Sequence, residues 1–437
     1  MAVEVQAAVH ATADNRHPKG FWFIFWGELA ERASFYGMKT LLLLYMINIL
    51  GYADEKSGQV VSLFTAACYV LPIVGGYIAD HYLGKFRTII YFAIPYILGH
   101  IILGSFNTEV GLYSALLLLA GGSGAVKPNI STLMGLMYEK EGKSHLLTQA
   151  FSWFYMAVNI GAAATTLTLP FVRDTYGYGA AFMAPTILMV VALGIFYYGK
   201  KYYPVEEAKR AMQKGRTPEQ RKIELATLGR LSGLFILVAF FWSLFDQSAT
   251  TWTLFARDHI NLPMIPFLGR VLPPDAIQSA NPFLIVLLTP LAAWVWSRTD
   301  TESRRLSSPR KMLIGFFLVA LCMGMMSLAG YMSVESKVSI SWQIVGYVLM
   351  TAGELCISVV GLQLAFEEAP NSMKSMITGI WLCMVSLGNV LASQLVSIYA
   401  KTTPGNYFGL MTAMIVVVMI LFYFVGRRFE HGSAKTV

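Results

Sequence analysis

Residues 21–50 read FWFIFWGELAERASFYGMKTLLLLYMINIL, a mostly apolar stretch that carries Glu28, Glu31, Arg32 and Lys39. A helix that began only after Lys39 would be about 16 Å long, whereas the hydrocarbon core of a bilayer is about 30 Å thick. The segment with the four charges must therefore lie at membrane depth. Inserting each such charge costs about 2.5–3.5 kcal/mol, so the four groups need one another or water. These residues predict a membrane-spanning helix with a polar face.

The composition of the whole chain agrees with a membrane protein that has many spans. Of its 437 residues, 56% are hydrophobic and 13% are charged, and the mean hydropathy is +0.55. Soluble domains carry about 25% charged residues, so ordinary globular, disordered and fibrous classes are excluded. The same composition argues against nucleic-acid binding as the meaning of the +8 net charge. Continuous apolar runs favour helices over barrel strands, and about 36 residues per span predicts roughly twelve spans.

The apolar runs fall into two sets of six, separated by one long hydrophilic segment at residues 200–230. The predicted spans are 21–50, 57–79, 88–106, 110–138, 146–170, 178–199, 231–256, 278–297, 312–333, 340–366, 373–400 and 405–426. This pattern predicts an all-α membrane protein with bundles at 20–199 and 231–428 and a linker at 200–230. Residues 1–19 and 429–437 are predicted tails.

The distribution of Lys and Arg predicts the orientation, because cytoplasmic loops are enriched in both. One side, which includes both tails and the linker, carries 24 of them outside the spans, and the other carries 6. Both termini and the linker are therefore predicted to be cytoplasmic. The polar first twenty residues predict no cleaved signal peptide. We expect a multi-pass protein of the cytoplasmic membrane.

Three further spans each carry one charge at midspan, namely Lys127, Asp246 and Glu354. With the four charges of the first span, these groups sum to −1, so one bound proton would neutralise them. A zwitterionic substrate would leave that sum unchanged, which gives a rationale for proton coupling. Charged groups inside a membrane are functional candidates by default. The alternatives are a structural ion-pair cluster in the first span and a buried, protonated structural acid at an isolated midspan carboxylate. In the first span the groups share one helical stripe with the aromatic Phe35 and Tyr36.

The loop GGYIADHYLGKFRT at 75–88 resembles the loop between the second and third helices of the major facilitator superfamily. Further segments resemble the proton-coupled oligopeptide transporter family of that superfamily, bacterial-type members included. They are GELAERASFYG at 27–37, FSWFYMAVNIGA at 151–162, FWSLFDQSATTWTLFA at 241–256, QSANPFLIVLLTPLAAWVW at 278–296 and GELCISVVGL at 353–362. The resemblance implies a major facilitator fold with twelve helices in two six-helix bundles, and import of di- and tripeptides with protons by alternating access.

The resemblance also implies roles for individual residues. Glu28, Glu31 and Arg32 would form the proton-coupling motif, with Asp246 as a second proton-linked residue. The substrate-binding residues would be Arg32, Lys39 and Lys127 for the peptide carboxylate, Glu354, Asn159 and Asn281 for its amino group, and Tyr36, Tyr69 and Trp381 as pocket walls. Partners would be the peptide, protons and the lipid bilayer, with a monomer as the functional unit. No cofactor is expected besides the proton.

The chain departs from the usual family pattern at several positions. Ala33 stands where Phe is usual, Phe35 where Tyr is common, Lys39 where Arg is usual and Val359 where Pro is frequent. Lysine lacks the planar fork with which arginine grips a carboxylate. The 200–230 linker is also too short for the two additional helices of many bacterial members. These departures leave the preferred peptide length open.

Other functions remain as alternatives at this point. A related transporter could carry an amino acid or nitrate, although Glu354 would present negative charge to an anion. A channel or structural protein would hold its charges in static pairs. An enzyme would need a nucleophile and a base or a metal set, and no His-Glu-x-x-His occurs. The four cysteines form no close pair in the sequence, so neither a disulfide framework nor a zinc site is indicated.

Overall fold

The computed structural model describes residues 16–204, 218–266, 268–299, 306–369 and 374–433, and within these ranges we number twelve membrane-crossing helices α1 to α12. The first four are α1 (Lys19–Asn48), α2 (Asp54–Ile78), α3 (Lys85–Ser105) and α4 (Glu109–Lys140). Residues Leu147–Gly199 form one hydrogen-bonded run, but Gly177 has a φ of 84° and divides it into α5 (147–176) and α6 (178–199). Glycine adopts this left-handed backbone without the steric cost that a Cβ brings.

The second set of six helices contains two irregular members. In α7, a 3₁₀ turn at Asp246–Ala249 joins Pro218–Phe245 to Thr251–His259, and in α10, a π turn at Leu355–Val359 joins Ser341–Glu354 to Val360–Glu368. The regular members are α8 (Ala280–Thr299), α9 (Ser308–Met332), α11 (Lys374–Tyr399) and α12 (Pro404–Ser433). The sequence predicted one span over each of these helices, at 231–256 and 340–366, and indicated neither turn.

Short elements fill the connections. A π turn at Ala79–Leu83 extends α2, and 3₁₀ turns cover Ser144–Leu146, Lys200–Tyr202 and Pro274–Ser279. Four two-residue strands lie in the loops after α7 and α9: β1 (Ile260–Asn261), β2 (Met264–Ile265), β3 (Arg270–Val271) and β4 (Val338–Ser339). β1 pairs with β4 in parallel, and β2 pairs with β3 antiparallel.

The helices agree with the predicted spans within a few residues at most ends. Within the described ranges, ten helical stretches are long and apolar enough to cross a membrane. α5 and α6 form one of those stretches, and α1 is absent from them because its charges exceed those of an ordinary apolar span. Twelve crossings result, as the sequence predicted.

Two helices extend beyond the spans predicted for them. α7 begins at Pro218, not at residue 231, and α12 continues to Ser433, beyond the predicted end at 426. Residues 218–228 contain Glu, Gln, Arg, Lys, Leu and Ala, which all favour helix, so a charged helix continues past the membrane. The tail at 1–15, the linker at 205–217 and the end of the chain at 434–437 lie outside the described residues.

The twelve helices form two bundles, each with its own hydrophobic core. Nearly all buried apolar side chains of α1–α6 belong to one cluster, and those of α7–α12 to another. Between the bundles, α2 packs against α11, and α5 packs against α8 and the Pro274–Ser279 turn. We call the side of the molecule that holds the loops 49–53, 106–108 and 260–279 the closed side, because ion pairs join the bundles there.

Candidate functional site

The charges of α1 form a cluster that is almost fully withdrawn from solvent. Arg32 donates hydrogen bonds to both carboxylate oxygens of Glu31, and its Nε lies 3.4 Å from Oε1 of Glu28. All three residues are at most 1% exposed. Oε2 of Glu28 is buried without a hydrogen-bond partner among the described residues. Glu31 therefore has the stronger hold on Arg32, and Glu28 keeps one free oxygen that can take a proton.

Close helix packing places this cluster. A Cβ on Gly161 of α5 would lie 2.5 Å from the carbonyl oxygen of Leu29, so the two backbones touch there. Four residues later, Thr165 donates a hydrogen bond of 2.8 Å to the carbonyl oxygen of Ala33. Ser34 donates to the carbonyl of Pro185 in α6 at 2.8 Å. Contacts from α5 and α6 thus fix the rotation of α1 around the charged residues.

Lys39 links the first bundle to the second. Its Nζ lies 3.3 Å from Oδ1 of Asp246, and both side chains are about one tenth exposed. Asn389 of α11 donates a 2.7 Å hydrogen bond to the other oxygen, Oδ2. Asp246 is the first residue of the 3₁₀ turn in α7. The sequence indicated the charge of Asp246 but neither the turn nor the role of Asn389.

Lys127 of α4 lies against an aromatic ring. Its Nζ is 4.3 Å from the ring centroid of Tyr69, and Tyr69 in turn contacts Tyr36 of α1. The carboxylates of Glu28 and Glu31 lie within range of its charge. Within the described chain, however, Lys127 makes no ion pair. Its ammonium is therefore available for an external carboxylate.

Glu354 of α10 is the corresponding group in the second bundle. Its Oε2 accepts a 3.0 Å hydrogen bond from Asn281 of α8, and the same amide nitrogen donates to Thr351 at 3.0 Å. Glu354 forms no ion pair with any described residue. The π turn of α10 begins immediately after it. Such turns often occur at functional sites, because they re-aim side chains within a helix.

Two predicted site residues are not joined to the others. Asn159 donates to the carbonyl oxygen of Tyr155 in its own helix at 2.9 Å, with no hydrogen bond to Glu354, whereas Tyr155 lies within electrostatic range of Glu354. Trp381 is 2% exposed and packs within the second bundle, with its ring centroid 5.2 Å from that of Phe235. The roles predicted for these two residues, like those of the other site residues, stay predictions.

Two ion pairs on the closed side were not predicted from the sequence. Arg173 of α5 donates to Asp275, which is 0% exposed, and Arg257 of α7 binds Asp54 of α2 at 2.6 and 3.1 Å. Each pair joins the first bundle to the second. In the sequence these residues lie at predicted span ends, where charges are ordinary. No local pattern identifies partners separated by about a hundred residues or more.

Comparisons with known proteins give consistent results. The sequence profile of the POT family matches residues 86–215 and 205–414. The chain is similar to the uncharacterized transporter YclF of Bacillus subtilis, at 26% identity over 92% of each chain. It is similar to the peptide transporter YePEPT of Yersinia enterocolitica, at 29% identity over 86% of this chain and 87% of that protein. Solute carrier family 15 member 2 of Rattus norvegicus is 33% identical over 74% of this chain, which spans about half of that protein's length.

Solved structures show the same fold. The POT family transporter PepTSo superposes with a TM-score of 0.84 at 27% identity, over 95% of this chain and 99% of that one. A POT family transporter in complex with 5-aminolevulinic acid gives a TM-score of 0.84 at 22% identity, over 95% and 98% of the two chains. The predicted all-α fold, with twelve helices in two six-helix bundles, is confirmed. These relatives are transporters, which agrees with the predicted transporter class and gives an enzyme no support.

Proposed function

This chain belongs to the POT family of membrane transporters, and we propose that it is a symporter that imports di- and tripeptides together with protons by alternating access. The proposal agrees with the named relatives, among which are peptide transporters. The residues that would perform this activity are those of the cluster on α1 and the polar groups that face it from the second bundle.

One observation carries the substrate assignment. Lys127 in the first bundle and Glu354 in the second are half-buried opposite charges, and neither has an ion-pair partner among the described residues. An unpaired charge at membrane depth is costly, so each favours a ligand of opposite sign. A peptide supplies a carboxylate for Lys127 and an ammonium for Glu354. Because the two residues belong to different bundles, a bound zwitterion would draw the bundles together.

The carboxylate of Glu28 would be the group that binds the proton. Arg32 is held by Glu31, whereas one oxygen of Glu28 lacks a partner. Protonation of Glu28 would remove its attraction for Arg32 and for Lys127 nearby. The positive groups would then be free to meet the peptide carboxylate. In this way the proton and the peptide would bind more strongly together than either binds alone.

The Lys39–Asp246 pair would couple these events to the movement of the bundles. It joins α1 to α7 at the depth of the site, so it must break before the bundles separate on the closed side. Protonation of Asp246 would neutralise one partner and weaken the pair. The pair is consequently a gate that a proton can release.

Two other functions are less well supported. A nitrate transporter would have to bring an anion next to Glu354, which forms no ion pair with a cation in the described part of the chain. An amino acid also carries an ammonium and a carboxylate and would satisfy the same two charges. Competition between a dipeptide and its constituent amino acids separates these cases.

The location follows from the basic residues. We infer that the protein lies in the cytoplasmic membrane with both tails on the basic side, and that the closed side faces outward. The two bundles of a single chain together supply all the groups that we propose for binding the peptide and the proton. This supports a monomer as the functional unit. Reaction of an engineered cysteine on each side with an impermeant maleimide, in intact cells, would test this orientation.

The deciding experiment is uptake of a labelled dipeptide by proteoliposomes with and without an inward-directed proton gradient. We expect accumulation only with the gradient. Glu28→Gln should abolish gradient-driven accumulation but leave exchange of peptide across the membrane intact. Gradient-driven accumulation that Glu28→Gln leaves unchanged would exclude Glu28 as the coupling carboxylate. Absence of any gradient-driven accumulation in the unmodified protein would contradict proton-coupled peptide transport itself.

The amino-terminal assignment has its own test. A dipeptide whose amino group is acetylated should compete poorly with the labelled peptide in the unmodified protein. In Glu354→Gln the free and acetylated peptides should compete about equally, because the carboxylate that distinguishes them is gone. An undiminished preference for the free peptide in Glu354→Gln would assign the ammonium to another residue.

A further inference from the structure

The carboxylate of Asp246 accepts hydrogen bonds from two donors that belong to different bundles. Lys39 belongs to the first bundle, and Asn389 belongs to α11 in the same bundle as Asp246. In the proposed alternating access, Lys39 would leave Asp246 when the bundles separate around α1 and α7, whereas Asn389 would move together with Asp246. Asn389 would therefore be the donor that remains on the carboxylate through the transport cycle.

The amide of Asn389 is fixed as a donor. Its Nδ2 donates one hydrogen to Oδ2 of Asp246 at 2.7 Å and the other to the carbonyl oxygen of Val385 at 3.0 Å. If the amide reversed, its own oxygen would lie against the carbonyl oxygen of Val385, an acceptor facing an acceptor. Asn389 is also only 1% exposed, so water cannot relieve such a contact. The amide thus cannot turn to accept a proton from a protonated Asp246.

We propose that Asn389 is a positioning residue that sets the proton affinity of Asp246 by favouring its carboxylate over its carboxylic acid. A fixed N–H donor stabilises the charged form, because only the carboxylate offers it a full negative charge. In the outward-open state, where Lys39 is no longer in contact, Asn389 would therefore set how acidic the external solution must be before Asp246 takes up a proton. This inference rests on the proposed proton-coupled function.

Other groups act on Asp246 from each neighbouring element. Lys39 of α1 pairs with it, and Tyr36 of α1, Tyr69 of α2 and Glu354 of α10 lie within electrostatic range. The Pro274–Ser279 turn also packs against this segment, and its Asp275 is paired with Arg173. These residues contribute in the unmodified protein and in every variant below, so a change at Asn389 isolates one donor.

The test compares Asn389→Leu with Asn389→Ser in gradient-driven dipeptide uptake over a series of external pH values. Leu keeps the branched shape and the number of heavy atoms but lacks a donor, whereas Ser is smaller and keeps an O–H donor. Removal of a hydrogen bond to a charged group corresponds to about a tenfold change or more in its proton equilibrium. We therefore expect Asn389→Leu to move the half-maximal external pH upward by about one unit, and Asn389→Ser to move it less.

Ser393→Ala is the matched control. Ser393 lies one turn along α11, is also 1% exposed, and bonds only to the backbone of its own helix, at Val390, and to Gln394. It should leave the profile unchanged. The proposal would be overturned if Asn389→Leu left the pH profile of uptake unchanged, or if Asn389→Ser shifted it more than Asn389→Leu does. A shift in Ser393→Ala as large as that in Asn389→Leu would also overturn it.

Two further measurements separate this proposal from a structural role and from the proposed function. In an Asp246→Asn background, measured by peptide exchange, Asn389→Leu should cause no additional pH shift, because the group it acts on no longer titrates; a persisting shift would contradict the proposal. If the unmodified protein shows proton-driven uptake and only the Asn389 shift is missing, this inference fails while the proposed function stands. Failure of uptake in the unmodified protein would remove both.

Discussion

At the scale of single residues, the two cations of the first bundle differ in what they can still bind. Arg32 already donates to both oxygens of Glu31 and lies 5.3 Å from the ring centroid of Phe35. Lys127 contacts the ring of Tyr69 and forms no ion pair with a described residue, and the carboxylates of Glu28 and Glu31 lie only within electrostatic range. A cation–π contact leaves the hydrogen-bond donors of an ammonium largely free. Lys127 is therefore the better candidate for the first contact with a peptide carboxylate.

We predict that Lys127→Gln weakens the binding of a dipeptide about 10- to 100-fold, since a hydrogen bond to a charged group contributes roughly 1.5–3 kcal/mol. A dipeptide with an amidated carboxyl terminus should lose much less, because it offers Lys127 no charge. Lys56→Gln serves as the control, since Lys56 pairs with Glu109 at an exposed position 3.0 Å away. Competition binding to the purified protein measures all three. Equal losses for the acid and the amide would place the carboxylate elsewhere.

The charges of α1 could be recognised in the sequence because any charged residue within a membrane span is costly, whichever residue it pairs with. The partners of the charged residues in other helices could not be recognised from the sequence. Glu31 lies next to Arg32 in the chain, so their contact could be predicted from the sequence. Asn389 lies 143 positions from Asp246, and no such proximity indicates their contact. A neutral amide in an apolar helix also gives no electrostatic signal. The site was therefore predictable in its charged members and not in the neutral donors that orient them.

At the scale of elements, the glycine of the Asn159-Ile160-Gly161 segment has a steric explanation. α1 and α5 touch at Gly161, where an added Cβ would lie 2.5 Å from a backbone oxygen of α1 and 3.1 Å from a backbone nitrogen. Neither backbone atom can move aside as a flexible side chain would. Because Gly161 has no Cβ, α1, which carries the predicted coupling cluster, can pack this closely against α5.

Gly161→Ala should therefore force α1 away from α5, at a cost of roughly 1–3 kcal/mol of stability, and should reduce uptake by displacing Glu28 and Arg32. Gly135→Ala in α4 is the control, because no atom lies within 4 Å of the added Cβ. Alanine also favours helix over glycine, so this control should be neutral or slightly stabilising. Thermal unfolding in detergent measures the difference between the two variants. Equal melting temperatures would show that the packing can relax.

The interruption of α7 shows where sequence patterns stop being informative. The segment from Asp246 to Thr253 is rich in Asp, Ser and Thr, which have low helix propensity, yet the apolar run continues on both sides. Tertiary contacts decide the outcome. Gln247 accepts hydrogen bonds from Thr251 at 2.8 Å and from Tyr407 of α12, and donates to the carbonyl of Ser243 at 3.0 Å. These side-chain hydrogen bonds span the 3₁₀ turn and replace part of the backbone hydrogen bonding that is lost where the α-helix is interrupted.

At the scale of the whole molecule, the ion pairs of the closed side hold the two bundles together. Asp275 is fully buried, and one of its oxygens has no partner among the described residues, so Arg173 is its main compensation. Removing one partner of a buried pair costs about 3–5 kcal/mol, because an uncompensated charge is left behind. That cost falls on the closed conformation alone if Asp275 becomes hydrated when the bundles separate. The pair therefore biases the balance between the two states of the transporter.

Arg173→Ala should consequently favour opening on this side, and a cysteine at Val396 can report it. Val396 is 1% exposed and packs against Gly58 across the interface between the bundles. In a background without the four native cysteines, we expect Val396→Cys to react slowly with an impermeant maleimide and at least tenfold faster when Arg173→Ala is added. Lys56→Ala, which breaks an exposed pair within the first bundle, should not change the rate. If Arg173→Ala left the reaction slow while the protein remained folded, the closed side would be held by the packing of α2 on α11, and the Arg173–Asp275 pair would follow the movement without controlling it.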